Sequence, residues 1–278
     1  MILTPRYEGP IIVAMDGESG DQLEPFRRQR LRMSADLAEL TEDEWAAPSR
    51  CDQWSVRDVV SHLATTDSFW RASILAGISG SPTRFLAGFD PVATPAALVA
   101  ASSELTSQQV LDSFVSTTGS LIEVLSALSE QDWTAIAESP AGHVPVRVLV
   151  QHGLWDGWIH ERDVAVPLGR MTAIEPDELR SCLRFAAALG PVLGIGLANS
   201  PKGLYAVEAT DPDTRFMVEV ADVVTVTNQR DGSIGVPCLR GDTVALIEGL
   251  SLRAPMPDGV PVEWMRLLSC LEVVFDAG

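Results

Sequence analysis

The sequence predicts an α+β protein in which a larger helical part is followed by a smaller part with an antiparallel sheet. Two patterns carry this prediction. Apolar residues recur at helical spacing up to about residue 190. After Gly190 the pattern changes to short, β-branched and partly alternating segments, LYAVEA, RFMVEV and VVTVT. The chain has 278 residues, 46% of them hydrophobic, which is enough to bury a sizeable core.

We expect three segments along the chain: an extension over residues 1–20, a helical bundle over 21–175 and an α+β domain over 176–278. The extension begins MILTPRYEGP, which lacks the basic start and the apolar core of a signal peptide. No stretch of eighteen residues is apolar and uncharged enough to be a transmembrane helix. We therefore predict a cytoplasmic protein with no membrane partner.

The helical part is predicted to begin with a helix over residues 21–40. The pattern Thr41-x-x-Glu44 is a capping box that starts a short turn. A second helix is predicted to begin after Ser55, a good N-terminal cap, and to run to about residue 75. Asp58 lies in its first turn, where a carboxylate favours the helix N-terminus.

The rest of the helical part is predicted to contain three more helices. After a loop over 81–95, one helix spans 95–128 with an interruption near Thr106. Residues 140–143 form a turn, and Pro145 suits the first turn of the next helix. A fifth helix follows Pro176 over 177–189.

Two glycines, Gly153 and Gly157, lie inside the helix that follows Pro145. Each costs about 1 kcal/mol relative to alanine in a helix interior. Their spacing of four residues therefore predicts the close approach of a neighbouring backbone, whose packing offsets that cost.

The C-terminal part is predicted to be a small antiparallel sheet with helices after it. Turns fall at Asp211-Pro212-Asp213 and near Ala221, between the three β-branched segments. Two amphipathic segments follow, near 242–250 and 261–270.

Charge and cysteine content exclude several function classes. The formal net charge is −18, so a nucleic acid partner is disfavoured because its phosphates would be repelled. The four cysteines contain no CxxC pair, which disfavours a thiolate zinc site and a thioredoxin-like redox motif. We interpret the cysteines as small buried hydrophobic residues.

Three polar residues repeat along the helix that follows Pro145. His152, Asp156 and His160 are each four residues apart and so share one helix face. Such a stripe is typical either of a metal site or of a hydrogen-bonded structural network. A catalytic zinc site commonly uses three His or carboxylate ligands and keeps one position open. A third ligand must then come from another element, and His62 is the only histidine predicted on a different helix.

A non-enzymatic module is the alternative class. The tryptophans of the helical part and the acidic surface are compatible with a bundle that binds a ligand or a structural metal. The same tryptophans, Trp54, Trp70, Trp155 and Trp158, are equally interpreted as core residues, since aromatic side chains dominate core burial.

Two motifs resemble a known family. They are CDQWSVRDVVSHL, which contains Trp54, Arg57, Asp58 and His62, and WDGWIHERD, which contains Asp156, His160 and Asp163, with Leu168-Gly169 after it. Together they resemble the mycothiol-dependent maleylpyruvate isomerase family of the wider DinB-like (YfiT-like) metalloenzyme group. The resemblance covers residues 20–170 and implies an N-terminal DinB-like four-helix bundle.

The resemblance also implies a ligand set for a divalent metal, most often zinc. Carried over residue by residue, the ligands are His62, Asp156 and His160, with His152 in reserve. The isomerase has glutamate where this chain has Asp156, which is one methylene shorter. Asp58 or Asp163 would orient a ligand from behind.

Arg253 is a further candidate, as a catalytic arginine facing an anionic substrate. It lies in Gly249-Leu-Ser-Leu-Arg253-Ala-Pro, which is similar to a Gly-Arg position of the family's second domain, although Leu252 stands before the arginine here.

The activity implied by the resemblance is thiol chemistry with mycothiol as cosubstrate. A free thiol is mostly protonated at neutral pH, and coordination to a divalent cation deprotonates it. We therefore expect an isomerase or S-transferase for a small electrophilic, carboxylate-bearing substrate, in a monomer or homodimer. The same ligands also allow a hydrolase, in which metal-bound water is the nucleophile.

Overall fold

The computed structural model describes residues 5–15, 22–195, 201–228, 235–256 and 261–274. Its helices are α1 Leu23–Ala38, α2 Glu42–Ala46, α3 Val56–Ile78, α4 Ala93–Ala101, α5 Ser107–Ser126, α6 Val146–Ala165, α7 Pro176–Gly194, α8 Thr243–Leu250, α9 Val262–Leu268 and α10 Leu271–Val274. Its strands are β1 Val13–Met15, β2 Ile136–Ser139, β3 Gly142–Pro145, β4 Gly203–Thr210, β5 Thr214–Val220, β6 Val224–Asn228 and β7 Cys238–Asp242.

The long helices α1, α3, α5 and α6 pack as the predicted four-helix bundle. Helix α3 contacts α5 and α6, and α1 contacts the same two helices from the other side. The bundle interior contains a fully buried ion pair, in which Arg30 Nη2 lies 3.0 Å from Asp67 Oδ1. Thr118 of α5 donates a hydrogen bond of 2.6 Å to the same aspartate, so three helices are joined at one buried carboxylate.

Local capping signals explain where the bundle helices begin. Thr41 and Ser55 form capping boxes with Glu44 and Asp58, as the sequence predicts. Thr106 forms a third capping box at the start of α5. The interruption predicted at this residue is therefore confirmed, because its side chain satisfies a free backbone N–H group at the N-terminus of a new helix.

The two glycines of α6 are approached closely, but by side chains rather than by a backbone, which corrects the prediction. A side chain at Gly157 would collide with the Arg30 guanidinium, and one at Gly153 would meet the Phe26 and Trp70 rings. The buried arginine needs this space because its head group sits against the helix axis of α6, where Arg30 Nη2 donates to the Gly153 carbonyl.

A short hairpin precedes α6, where the sequence indicates only a turn. Strands β2 and β3 pair antiparallel around residues 140–141. Gly142 takes a positive φ of +118° and lies against the backbone of Arg6, so a side chain has no room there.

The C-terminal sheet has the order β1-β6-β5-β4-β7. Strands β4, β5 and β6 pair antiparallel, as predicted, with turns at 211–213 and 221–223. The sheet as a whole is mixed, with two parallel pairings beside the predicted antiparallel ones. Strand β7 pairs parallel with β4, and β1, from the predicted extension, pairs parallel with β6.

Helix α7 links the two parts of the fold. It packs on α6 and α1 on one side and on β5, β6 and α8 on the other. Because α7 and β1 each contact structure on both sides of the expected boundaries, the division at residues 20 and 175 stays a prediction. None of the helices in the described ranges combines the length and hydropathy needed to cross a bilayer.

Candidate metal centre

Three potential metal ligands from α3 and α6 meet in the bundle. His62 Nε2 lies 4.0 Å from Asp156 Oδ1, and His160 Nε2 lies 3.6 Å from the same oxygen. The two imidazole rings stand edge to face, with centroids 5.1 Å apart. The donor atoms of all three residues lie within 4.8 Å of one another. The structure therefore brings together the three residues named from the sequence.

These three residues fit a divalent cation by chemistry and by distance. Zinc bonds of about 2.0–2.1 Å place neighbouring ligand atoms of a tetrahedral site about 3.3 Å apart. The observed 3.6 and 4.0 Å need only small inward shifts. Asp156 Oδ2 is buried and has no hydrogen-bond partner among the described residues. A bare buried carboxylate oxygen is costly, and a cation would satisfy it.

Side chains of Trp54 and Thr66 lie next to His62 in the trio of His62, Asp156 and His160. The Trp54 ring lies over His62, with centroids 5.2 Å apart. Thr66, one turn further along α3, has its hydroxyl oxygen 3.5 Å from His62 Nε2. The His62 side chain is 19% exposed and Asp156 is 13% exposed, so the trio is in partial contact with solvent.

A second carboxylate contacts His160 on the ring nitrogen that points away from Asp156. Its Nδ1 lies 3.0 Å from Asp163 Oδ2, while its Nε2 faces Asp156. A histidine that ligates a metal usually donates its other ring N–H to a carboxylate, which fixes the tautomer. Of the two aspartates that the resemblance suggests for this orienting role, Asp58 and Asp163, it is Asp163 that contacts His160.

Asp163 collects four other donors besides His160, and we call this group the Asp163 cluster. Arg253 contacts both of its carboxylate oxygens at 2.9 Å, through Nε and Nη2. Arg50 Nε lies 3.1 Å from Oδ1, and Cys51 Sγ lies 3.1 Å from Oδ2. The backbone N–H of Arg50 donates to the Asp163 carbonyl. The carboxylate itself is fully buried.

The C-terminal part of the chain reaches this cluster through α8. Glu248 accepts hydrogen bonds from Arg50 at 3.1 Å and from Arg162 at 2.7 Å. Ser251 accepts one from the Trp155 indole at 2.9 Å. These contacts fix the end of α8 against α6, and Arg253 follows directly after it.

Protonation in the trio follows from these neighbours. Burial works against the charged form of His160, but Cys51, Asp163 and Asp156 outweigh it and raise its pKa to about 10. Burial alone would raise the pKa of Asp156, yet the histidines around it hold that pKa well below its ordinary value. These neighbours favour the protonated form of the His160 imidazole and the ionised form of the Asp156 carboxylate.

A second set of donors, Cys51, His160 and Asp163, also lies within 4.8 Å. We do not assign it as a metal site, because the Arg253 guanidinium already occupies its surroundings. Arg253 Nη2 lies 3.5 Å from Cys51 Sγ and 2.9 Å from Asp163 Oδ2. A divalent cation added there would be repelled by the guanidinium charge.

The remaining predicted site residues lie elsewhere. His152 stacks on Phe185 with ring centroids 4.8 Å apart, and the Trp70 ring lies tilted beside it with centroids 5.0 Å apart. Burial lowers the pKa of His152 to about 4, which favours its neutral form. The Asp58 carboxylate accepts from the backbone and hydroxyl of Ser55 and serves as a helix cap. Neither belongs to the group of donors around Asp156.

Sequence reasoning missed two members of the site. Cys51 is half-buried with polar neighbours, so its interpretation as a small buried hydrophobic residue is wrong. The sequence analysis assigned no role to Arg50. The position of Arg50 and Cys51 just before the Trp54 motif was the signal that could have identified both residues. Of the tryptophans, Trp70, Trp155 and Trp158 are buried in the core, which contradicts a binding module built on exposed tryptophans.

Comparisons with known proteins identify a family and a shared fold. A family model described as the mycothiol maleylpyruvate isomerase N-terminal domain matches residues 26–165. The crystal structure of a mycothiol-dependent maleylpyruvate isomerase shares the fold at a TM-score of 0.60 and 17% identity, covering 86% of this chain and 90% of that one. A histidine-to-alanine mutant of such an isomerase matches at 0.60 and 16%, with the same coverage. No curated protein sequence matches the chain.

Proposed function

Because the chain belongs to the mycothiol maleylpyruvate isomerase family, we propose that this enzyme is a divalent-metal- and thiol-dependent isomerase or S-transferase. Its substrate is a small electrophile that carries a carboxylate, and mycothiol is the thiol. The observation that carries the proposal is the convergence of His62, Asp156 and His160 from two helices, with Arg253 in contact with the residue that holds His160.

His62 and His160 would hold the metal through Nε2, and Asp156 through its carboxylate. Zinc is our choice of metal, since two histidines and one carboxylate are a common catalytic zinc set. When bound, the cation would lower the pKa of a thiol ligand so that thiolate exists at neutral pH. The shorter Asp156 side chain is compatible with this role because its Oδ1 already lies between the two imidazoles.

Arg253 would hold the substrate carboxylate. Its Nε and Nη2 face Asp163 and Nη1 lies 3.4 Å from the Ser251 carbonyl, so Nη1 keeps a second N–H group that can be offered to an anion. The backbone supports its match to the family's Gly-Arg position: Leu252 has a φ of +60°, in the left-handed region that glycine adopts readily.

The isomerase and transferase reactions differ in whether the product keeps the carbon–sulfur bond to the thiol. A substrate that loses its bond to sulfur after rotation leaves as the geometric isomer. A substrate that keeps this bond leaves as a thiol conjugate, and the proton lost by the thiol ends on the adjacent carbon. Both outcomes need the carboxylate to be held in place while the reacting carbon faces the thiolate.

Calorimetric titration of mycothiol tests the proposal. Zinc-loaded protein should bind the thiol, while protein stripped of metal and the His160→Ala variant should not. His143→Ala removes a histidine outside the site and should bind as the wild type does. Equal binding with and without metal would refute the role of the metal in thiol binding.

The Arg253→Ala variant should keep thiol binding but lose turnover of carboxylate-bearing electrophiles. Mass spectrometry of the isomer and of the thiol conjugate measures this turnover.

A further inference from the structure

Thr66 lies next to His62 on the side of α3 that meets α6. It follows His62 by four residues, so the two side chains share one helix face and are one turn apart. Asp156 and His160 have the same spacing on α6. The candidate metal centre therefore lies between two facing pairs of polar side chains, of which His62, Asp156 and His160 are metal ligands of the usual types.

Ring contacts on either side place Thr66 at the level of Asp156. The two imidazole rings of the trio are 5.1 Å apart, and about two turns along the helix pair the rings of Trp70 and His152 are 5.0 Å apart. Thr66 is halfway between these contacts in α3, and Asp156 is halfway between them in α6. Thr66 thus lies opposite the carboxylate whose Oδ2 is buried and has no hydrogen-bond partner among the described residues.

The hydroxyl proton of Thr66 is already used in a hydrogen bond. Thr66 Oγ1 lies 2.6 Å from the His62 carbonyl oxygen, and since a carbonyl can only accept, the hydroxyl is the donor. A hydroxyl has one proton and two lone pairs. Towards its other neighbours Thr66 therefore offers lone pairs, which are what a cation binds.

The same oxygen lies 3.5 Å from His62 Nε2, the nitrogen that would bind the metal. This distance is longer than the range of about 2.7–3.2 Å for a good N–H···O hydrogen bond. It is close to the separation of about 3.3 Å between two ligands of one tetrahedral zinc ion. It is also shorter than the 4.0 Å between Nε2 and Asp156 Oδ1. Thr66 Oγ1 and His62 Nε2 are therefore spaced as two groups around one cation.

We propose that Thr66 is a fourth protein group at the metal centre, whose hydroxyl oxygen directs a lone pair at the cation that the trio holds. This inference rests on the metal centre of the proposed function. A neutral hydroxyl oxygen is a weaker zinc ligand than a thiolate, which zinc favours. The hydroxyl would hold the fourth position in the absence of a thiol and would be replaced by the thiolate of mycothiol. Thr66 keeps its proton throughout, in its bond to the His62 carbonyl.

Cobalt(II) bound in place of zinc tests the proposal, because its visible absorption depends on the groups around the ion. Thr66→Val removes the oxygen with little change in shape. It should alter the absorption of bound cobalt. In competition with a chelator it should also lower cobalt affinity about 10-fold, the smaller end of the loss for groups next to metal ligands. Thr66→Ser keeps the hydroxyl and should match the wild type.

Thr65→Val is the matched control. Thr65 donates the same kind of hydrogen bond, to the Ser61 carbonyl at 3.0 Å, but it lies about 100° around α3 from Thr66. This variant should keep the spectrum and the cobalt affinity of the wild type. Saturation with mycothiol gives a second readout. The spectra of wild type and Thr66→Val should then coincide, because the thiolate has replaced the hydroxyl.

Three results would contradict this account. A Thr66→Val variant with the wild-type spectrum and affinity would overturn the inference and leave the metal centre of the proposed function in place. A difference between the two spectra that persists at saturating mycothiol would also overturn it, since the thiolate would then not replace the hydroxyl. Wild-type protein that binds no cobalt would refute the metal centre itself, and the inference with it.

Discussion

The carboxylate of Asp163 lies 3.0 Å from His160 Nδ1 and orients the imidazole so that its Nε2 faces Asp156. The same carboxylate receives Arg253, Arg50 and Cys51. One buried aspartate therefore fixes a proposed metal ligand and the proposed substrate arginine relative to each other, although these come from opposite parts of the chain.

Asp163→Asn should weaken both metal affinity and the fold. The amide cannot accept from five donors and leaves the partly buried Arg253 without its counter-charge. We expect a loss of about 3–5 kcal/mol in the free energy of unfolding and a 10- to 100-fold loss in zinc affinity. Urea unfolding and competition with a chelator measure the two. Asp52→Asn, an exposed aspartate next to Cys51, is the control. Unchanged zinc affinity in Asp163→Asn would refute the orienting role.

Gln53→Gly should stabilise the protein. Gln53 is exposed and has a φ of +62°, in the left-handed region that costs an L-residue about 1–2 kcal/mol. Glycine removes that strain but gains freedom in the unfolded chain, so we expect a net gain of about 0.5–1 kcal/mol. Gln108→Gly, at an exposed position of α5, should instead lose about that amount. Chemical denaturation of both variants checks the opposite signs.

The free energy of unfolding should decrease as the pH is lowered from 6.5 to 4, because of His152. Burial lowers its pKa from 6.5 to about 4, with Asp156 opposing. The unfolded state therefore takes up a proton at a higher pH than the folded state does. The contribution of neutral His152 is complete above pH 6.5 and is lost progressively down to pH 4, by about 3 kcal/mol. His152→Phe should flatten this part of the stability profile. Parallel profiles for the two proteins would contradict the assignment.

Gly157→Ala should be strongly destabilising. Its new methyl group would collide with the guanidinium of Arg30, which is buried and paired with Asp67. We expect a loss of about 3 kcal/mol or more, as for a broken buried ion pair. Gly119→Ala in α5 meets nothing within 4 Å and should gain about 1 kcal/mol from helix propensity. Thermal melts of both variants measure the contrast, and a tolerated Gly157→Ala would show that Arg30 has room to move.

Elements with local signals were predictable from the sequence. The capping boxes at Thr41 and Ser55 and the β-branched segments of β4, β5 and β6 each depend on residues a few positions apart. The spatial grouping of His62, Asp156 and His160 was predictable because two of these residues share a helix face and the third lies in a recognisable motif.

Contacts between distant parts of the chain were not predictable in this way. Arg50 and Arg253 meet Asp163 across 113 and 90 residues, and no periodicity links them. Strand β1 has three residues and pairs with β6 more than 200 positions later. Its few apolar residues resemble those of an unstructured extension in sequence. Only the position of the β6 sheet edge shows that they form a strand.

The amount of bound metal tests the central claim most directly. Purified wild-type protein should bind about one zinc ion per chain, measured by elemental analysis after dialysis against dilute zinc. His62→Ala, Asp156→Ala and His160→Ala should each lose it, while His152→Ala should keep it, because His152 stacks on Phe185 away from the trio. Full occupancy in the three trio variants, or loss of the metal only in His152→Ala, would contradict the assignment.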